Sequence, residues 1–181
     1  MSTKKTGARL AAGLLFVAAS LAFGQQTGNL KVKTTTGRAG VFVDDKYVGP
    51  AANFGMSRTY AVPAGEHTIT LRDPRYEPAT THVTVVAGKT VNVKQDLKPL
   101  PPPQGPFGRL RTQGGDKYWA VYVNGAYMGH VDEFDNFAQG LLLPAGQYSV
   151  KIVPPNGGPA TEENVDLKAN QTTIVRVKGK A

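Results

Sequence analysis

Val41-Phe42-Val43-Asp44-Asp45-Lys46-Tyr47-Val48-Gly49 returns eighty residues later as Val121-Tyr122-Val123-Asn124-Gly125-Ala126-Tyr127-Met128-Gly129. Val62-Pro63-Ala64-Gly65-Glu66-His67 likewise returns as Leu143-Pro144-Ala145-Gly146-Gln147-Tyr148, at an offset one residue longer. The chain is a tandem duplication, and a repeat of this length is one small domain rather than one turn of a solenoid. Each copy of the first stretch is a pair of β-rich runs around two turn residues. In the second copy these are Asn124-Gly125, the pair that best tolerates the positive φ a two-residue hairpin needs at both positions. Asp44-Asp45 fills the same place in the first.

Working outward, the periodicity stays at two. Leu30 and Val32, Ile69 and Leu71, Val83 and Val85, and Val91 and Val93 alternate with polar neighbours, the pattern of strands with one buried face. Pro63-Ala64-Gly65 and Pro144-Ala145-Gly146 add a second turn per copy. Ala87-Gly88-Lys89 adds a third, matched by Ala169-Asn170-Gln171, where Asn stands in for Gly. Six or seven strands per copy predict an all-β protein of two small antiparallel β-sandwich domains in tandem. Phe42 and Tyr122 fall on the face opposite their valine neighbours, so either a second layer, first of all one of the same domain, covers them or they are exposed for a partner; cores this small also leave docking of the two copies on one another open.

Residues 1–24 read differently. Lys4, Lys5 and Arg9 precede an apolar run from Leu10 to Phe23, and Ala22-Phe23-Gly24 supplies small residues for cleavage after Gly24 or after Ala22. This is the signature of a helical secretory signal peptide; the run is shorter than the ~20 residues a membrane-spanning helix requires. The expected mature chain is therefore exported to the periplasm, cell surface or extracellular space, with no transmembrane span. It has no cysteine, so no disulfide and no thiol-linked lipid holds it. The formal charge of +8 falls to +5 without the leader, an excess suited to acidic envelope polysaccharide or anionic surfaces. Nucleic acid is excluded by the absence of a basic helix or Lys/Arg run. Residues 25–98 form the first β domain, 99–106 a proline-rich linker and 107–181 the second. The prolines of Pro99-Leu100-Pro101-Pro102-Pro103 predict a semi-rigid polyproline spacer able to hold the domains roughly 20 Å apart.

With these elements in order, each copy resembles a PEGA domain. The matching features of the first are Gly28-Asn29-Leu30-Lys31-Val32, the Val41-to-Gly49 hairpin, Pro63-Ala64-Gly65-Glu66-His67 and Ala87-Gly88-Lys89-Thr90-Val91. The second keeps Gly108-Arg109-Leu110, the hairpin and Pro144-Ala145-Gly146, and departs at Gln147, Tyr148 and Asn170. The resemblance implies an all-β module of exported and cell-envelope proteins, commonly an accessory or binding unit, with no catalytic residues.

The chemistry-bearing residues agree with that implication. After the leader the only serines are Ser57 and Ser149, neither in a nucleophile elbow. His67, His82 and His130 have no metal-binding spacing. Asp132-Glu133-Phe134-Asp135-Asn136 groups three carboxylates, Asp132, Glu133 and Asp135, that would serve calcium; the order is not that of an EF-hand loop. The stretch reads better as a solvated loop, with Phe134 and Phe137 plugging the core as Phe54 does in the first copy. Tyr118, Trp119, Tyr122, Tyr47 and Tyr127 are the candidate binding residues, since planar rings stack on sugars; the same residues also pack well across a sheet.

The sequence thus reads as a non-catalytic exported binding or scaffold protein of the cell envelope, an accessory subunit without cofactor. Its expected partner is an envelope protein or acidic envelope polysaccharide, and the alternative role is a carbohydrate-binding module for wall or capsular glycan. What differs between the copies carries specificity, so they are expected not to bind the same thing.

Overall fold

Among the described residues seven strands form each domain, and the turn residues named above set where they reverse. The computed structural model describes residues 26–55, 58–155 and 157–177; the leader, residues 1–24, lies outside them. In the first domain the strands are β1 (Thr27–Lys33), β2 (Gly40–Val43), β3 (Lys46–Pro50), β4 (Tyr60–Pro63), β5 (Gly65–Arg72), β6 (Ala79–Val85) and β7 (Thr90–Lys94). In the second they are β8 (Phe107–Gln113), β9 (Ala120–Val123), β10 (Ala126–His130), β11 (Leu141–Pro144), β12 (Gly146–Val153), β13 (Thr161–Leu167) and β14 (Thr172–Arg176).

The strand orders coincide. One sheet runs β3-β2-β5-β6 and the other β4-β1-β7; in the second domain these become β10-β9-β12-β13 and β11-β8-β14. Pairing is antiparallel except that β1 runs parallel to β7, and β8 to β14. The antiparallel expectation therefore needs this amendment: the first and last strands of each domain lie side by side in the same direction. That is possible because the intervening chain crosses to the other sheet and back.

The turns explain the hairpins. Asp44 and Asp45 sit at φ 49° and 62°, and Asn124 and Gly125 at 48° and 79°, the primed geometry that matches strand twist. A bulge follows in each hairpin, shifting the register between Val41 and Phe42 on β2 and between Tyr127 and Gly129 on β10. Asn170 adopts φ 60° where Gly88 adopts 70°, so the amide takes over the glycine's conformation as expected.

Each core lies between its two sheets. Leu30 and Val32 from β1 and Val62 from β4 meet Val41, Ile69 and Leu71 from the facing sheet. Leu110, Leu143 and Val175 meet Val121, Val150 and Ile152 in the second domain. Full burial of such a side chain is worth about 1.5–3 kcal/mol, and with no cysteine in the sequence to form a disulfide, this packing carries each domain. After each hairpin a short 3-10 turn, Ala51–Phe54 or Val131–Glu133, delivers a phenylalanine to the core: Phe54 in one copy, Phe134 in the other. Phe137 does not follow. It is 84% exposed, because Phe134 has already filled the position equivalent to Phe54.

Candidate functional site

Phe42 and Tyr122 point away from their own cores, and the layer that covers them is the other domain. Phe42 and Tyr47 on the first hairpin pack with Tyr122 and Tyr127 on the second, around the small residue Ala120. Phe42 meets Tyr127 edge to face, centroids 5.4 Å apart and planes at 88°, and Tyr47 lies 5.4 Å from the same ring. Gly40 leaves room for the close approach: a Cβ there would stand 2.6 Å from Cζ of Tyr127. The Arg72 guanidinium caps the Phe42 ring at 4.3 Å. Burial pushes the Tyr47 and Tyr127 phenols well above the ordinary tyrosine range, so both are neutral at any physiological pH. Equivalent hairpins thus form both sides of the junction.

This corrects two expectations. The cover over Phe42 and Tyr122 comes from the neighbouring copy rather than from the same domain. The proline segment does not hold the domains apart either, since its first residues lie back on the first domain: Pro99 bridges to Tyr76, and the Leu100 amide donates to the Arg75 carbonyl at 2.8 Å.

Around the aromatic seam the contacts become ionic. Arg38 of the first domain reaches Glu133 of the second at 3.4 Å. Glu133 also meets Nδ1 of His130, and Asp132 lies 3.2 Å from Nε2 of the same buried ring. Asp73, whose carboxylate is buried, is gripped by the Arg75 fork through Nε at 2.9 Å and Nη2 at 2.6 Å. Between these pairs opens a cleft of about 310 Å3, lined by Arg38, Asp73 and Arg75 from the first domain and by Arg109, Glu133 and Leu142, among others, from the second. Its arginines are already engaged, Arg75 with Asp73, Arg38 with Glu133 and Arg109 with the Phe137 carbonyl, and two carboxylates share the lining with them.

The candidate aromatic residues end up in different places. Tyr47 and Tyr127 are only 5% and 6% exposed, and Trp119 packs into the second core at 9%. Tyr122 is half-buried at the seam, and Tyr118 stacks on His130 with centroids 6.1 Å apart. The structure therefore brings Tyr47, Tyr122 and Tyr127 together, but against each other. Asp132 and Glu133 are engaged with His130 and Arg38, while Asp135 contributes its backbone carbonyl to Arg111. Among the described residues no group of three or more His, Asp or Glu side chains is disposed to hold a metal.

Two histidines lie at the turn end of β5 and β6, His67 on the core-facing side with its side chain 11% exposed and His82 on the outer face opposite Thr68. His67 donates from Nδ1 to Asp44 at 2.6 Å and from Nε2 to the Pro63 carbonyl at 2.9 Å, so both ring nitrogens carry protons. The hydrogen bond to Asp44 raises the His67 pKa. Asp44 is held below its ordinary range by the Thr68 amide first and by His67 second. On the adjacent strand His82 Nδ1 lies 3.2 Å from the Thr68 hydroxyl, yet the nearby Asp44 is already committed to His67 and does not orient it. A shallow depression runs beside these residues, and an equivalent one lies at Tyr148, Ser149 and Asn164 in the second domain.

The PEGA domain profile matches residues 27–101. No curated protein matches the chain. Among solved structures, the Bacillus anthracis TIE protein is similar at 18% identity and a TM-score of 0.31; the match covers 84% of this chain, which spans 34% of that one. Among the described residues no helix is long and apolar enough to cross a membrane. The PEGA domain is a non-catalytic, binding-type module typical of exported proteins. Residues 27–101, the stretch that matches the PEGA domain model, form the 3+4 strand sandwich with its Pro-Ala-Gly turn, and the chain docks beside it a second domain of the same strand order.

Proposed function

We propose that this protein is an exported binding or scaffold component of the cell envelope, an accessory subunit that contacts other envelope proteins. The observation that carries the reading is the aromatic junction. It joins two domains of one fold but unlike surfaces into a single body, leaving the β4-β1-β7 and β11-β8-β14 sheets outside the junction. Such an arrangement serves bridging rather than turnover, and the chemistry at hand fits: arginine forks, buried tyrosines, and histidines tied to structural acceptors. The leader-like residues 1–24 and the PEGA domain both favour export.

The test is affinity purification of the tagged chain from detergent-solubilised envelopes of its native host, with the soluble fraction as control. The expected result is enrichment of one or a few envelope proteins in constant proportion to the bait. Recovery of the chain with neither envelopes nor any envelope protein overturns the proposal.

A further inference from the structure

The duplication supplies its own control, because the same sheet face exists twice. In the first domain the outer face of β4-β1-β7 carries Lys31, Lys33 and Lys94, with Ala61 and Asn92 among them. In the second, the outer face of β11-β8-β14 carries Arg109, Arg111 and Arg176, with Leu142 at the place of Ala61 and Ile174 at that of Asn92. None of these six strands contains an acidic residue. Both faces thus carry three positive charges, at partly different positions: Gln113 stands where the first domain has Lys33, and Arg109 where it has Asn29.

The differences run in one direction. Two point-charge ammonium groups, Lys31 and Lys94, give way to the planar forks of Arg111 and Arg176, and a third fork, Arg109, stands where the first domain has Asn29; such forks hold carboxylates bidentately. Small or polar residues are exchanged for large apolar ones, leaving Leu142 48% and Ile174 36% exposed. Cross-strand register sets Leu142 beside Arg109, and Arg111 beside Ile174. Phe137 completes the second row, with Arg111 5.7 Å from its ring centroid. The arginines are also held in place: Arg109 donates from Nη1 to the Phe137 carbonyl at 3.4 Å and Arg111 from Nη2 to the Asp135 carbonyl. Arg109 and Leu142 line the junction cleft as well, so the face continues into it. Arginine and aromatic enrichment with lysine depletion is the composition of a protein-binding patch.

We infer that the outer face of β11-β8-β14, centred on Arg109, Arg111, Leu142, Ile174 and Phe137, docks a protein segment that alternates carboxylate and apolar side chains. This deepens the envelope-binding reading and rests on it. A membrane or a polyanion selects for charge, which the lysine face of the first domain offers equally; neither accounts for the exchange to forks and aliphatic neighbours. Aliphatic Leu142 and Ile174 also lack the flat ring that stacks on a sugar.

The two-domain chain is panned against a displayed library of random short peptides, and recovered sequences are synthesised for titration. Acidic residues alternating with Val, Leu, Ile or Phe are expected. The double variant R109K/R111K, which keeps the charge, should weaken their binding at least about tenfold, the value of a lost charge-assisted fork. L142A and I174N install the first domain's own residues on an exposed face; each should weaken binding several-fold with an unchanged melting temperature. Recovered peptides without acidic enrichment overturn the inference, as does equal binding by R109K/R111K. Arginine-dependent sedimentation with phosphatidylglycerol vesicles, in the absence of any selected peptide, reassigns the face to membrane and overturns it too. If R109K/R111K recovers the same envelope proteins as the parent chain in the purification above, the docking face fails while the envelope-binding reading stands.

Discussion

The two copies solve one local problem with different chemistry at the Pro-Ala-Gly turn. Tyr148 donates its hydroxyl to the Pro144 carbonyl at 2.8 Å, where His67 donates an imidazole N–H to Pro63. Asn124 accepts the Ser149 amide at 2.9 Å, where Asp44 accepts that of Thr68 at 2.9 Å. The second pair is neutral and the first is an ion pair, so only the first domain should respond to pH here. His67 has a folded pKa raised above its unfolded value of about 6.5. Its contribution is therefore complete below that value and is lost as pH rises through the folded pKa. Asp44 is lowered, so its contribution is complete above about pH 3.8 and is lost as pH falls through its folded pKa. We expect the stability of the first domain to be greatest between these limits and to decline on either side of them, on the alkaline side through His67 and on the acid side through Asp44. Denaturation midpoints at pH 5.5 and 8.5 read the effect, and the exchange Asp44→Asn with His67→Tyr, which copies the second domain, should flatten it. A parent midpoint equal at the two pH values would sink the argument.

At the scale of elements, Gly28 and Gly108 show what a shared residue is for. Both were legible as part of the repeat, but their reason is a close approach that only the folded sandwich makes. A Cβ on Gly28 would stand 2.6 Å from the Val86 carbonyl and 2.9 Å from that of Lys89; one on Gly108 would stand 2.6 Å from the Lys168 carbonyl. Backbone atoms of the turn before the last strand do not yield as a side-chain tip does. The adjacent amides of Asn29 and Arg109 donate to Lys89 and Gln171 in that same turn, each at 2.8 Å, and pin it. Gly28→Ala and Gly108→Ala should each destabilise their own domain by about 1–3 kcal/mol, measured by chemical denaturation. Cost-free substitution at both positions would show that the turn moves aside. Turn chemistry was readable in advance at Asp44-Asp45, Asn124-Gly125 and Asn170, because positive φ is a property of single residues. The parallel pairing of β1 with β7 was not, because nothing in an alternating strand states the direction of its neighbour.

At the scale of the molecule, the junction decides whether the tandem behaves as one body or two. Tyr127 is its hub, in ring contact with Phe42, Tyr47 and Tyr122. Tyr127→Ala should remove about 3–5 kcal/mol of packing, the cost of deleting a large buried aromatic. The expected outcome is a single thermal transition that splits in two, with a larger radius of gyration in solution scattering. An unchanged single transition would mean the linker, not the aromatic seam, couples the domains. The repeat, the strand periods, the turns and the Phe54/Phe134 plugs were all determined by the sequence, since each follows from local conformational preference and from the burial of one strand face. Tertiary structure alone decided the rest: that the outward rings of Phe42 and Tyr122 cover each other, that Tyr47 and Tyr127 are consumed in doing so, and that Phe137 is left exposed beside two arginines. An outward aromatic looks the same in sequence whether it awaits a ligand or another domain. Only the arrangement of surfaces in space states which of them has already been covered.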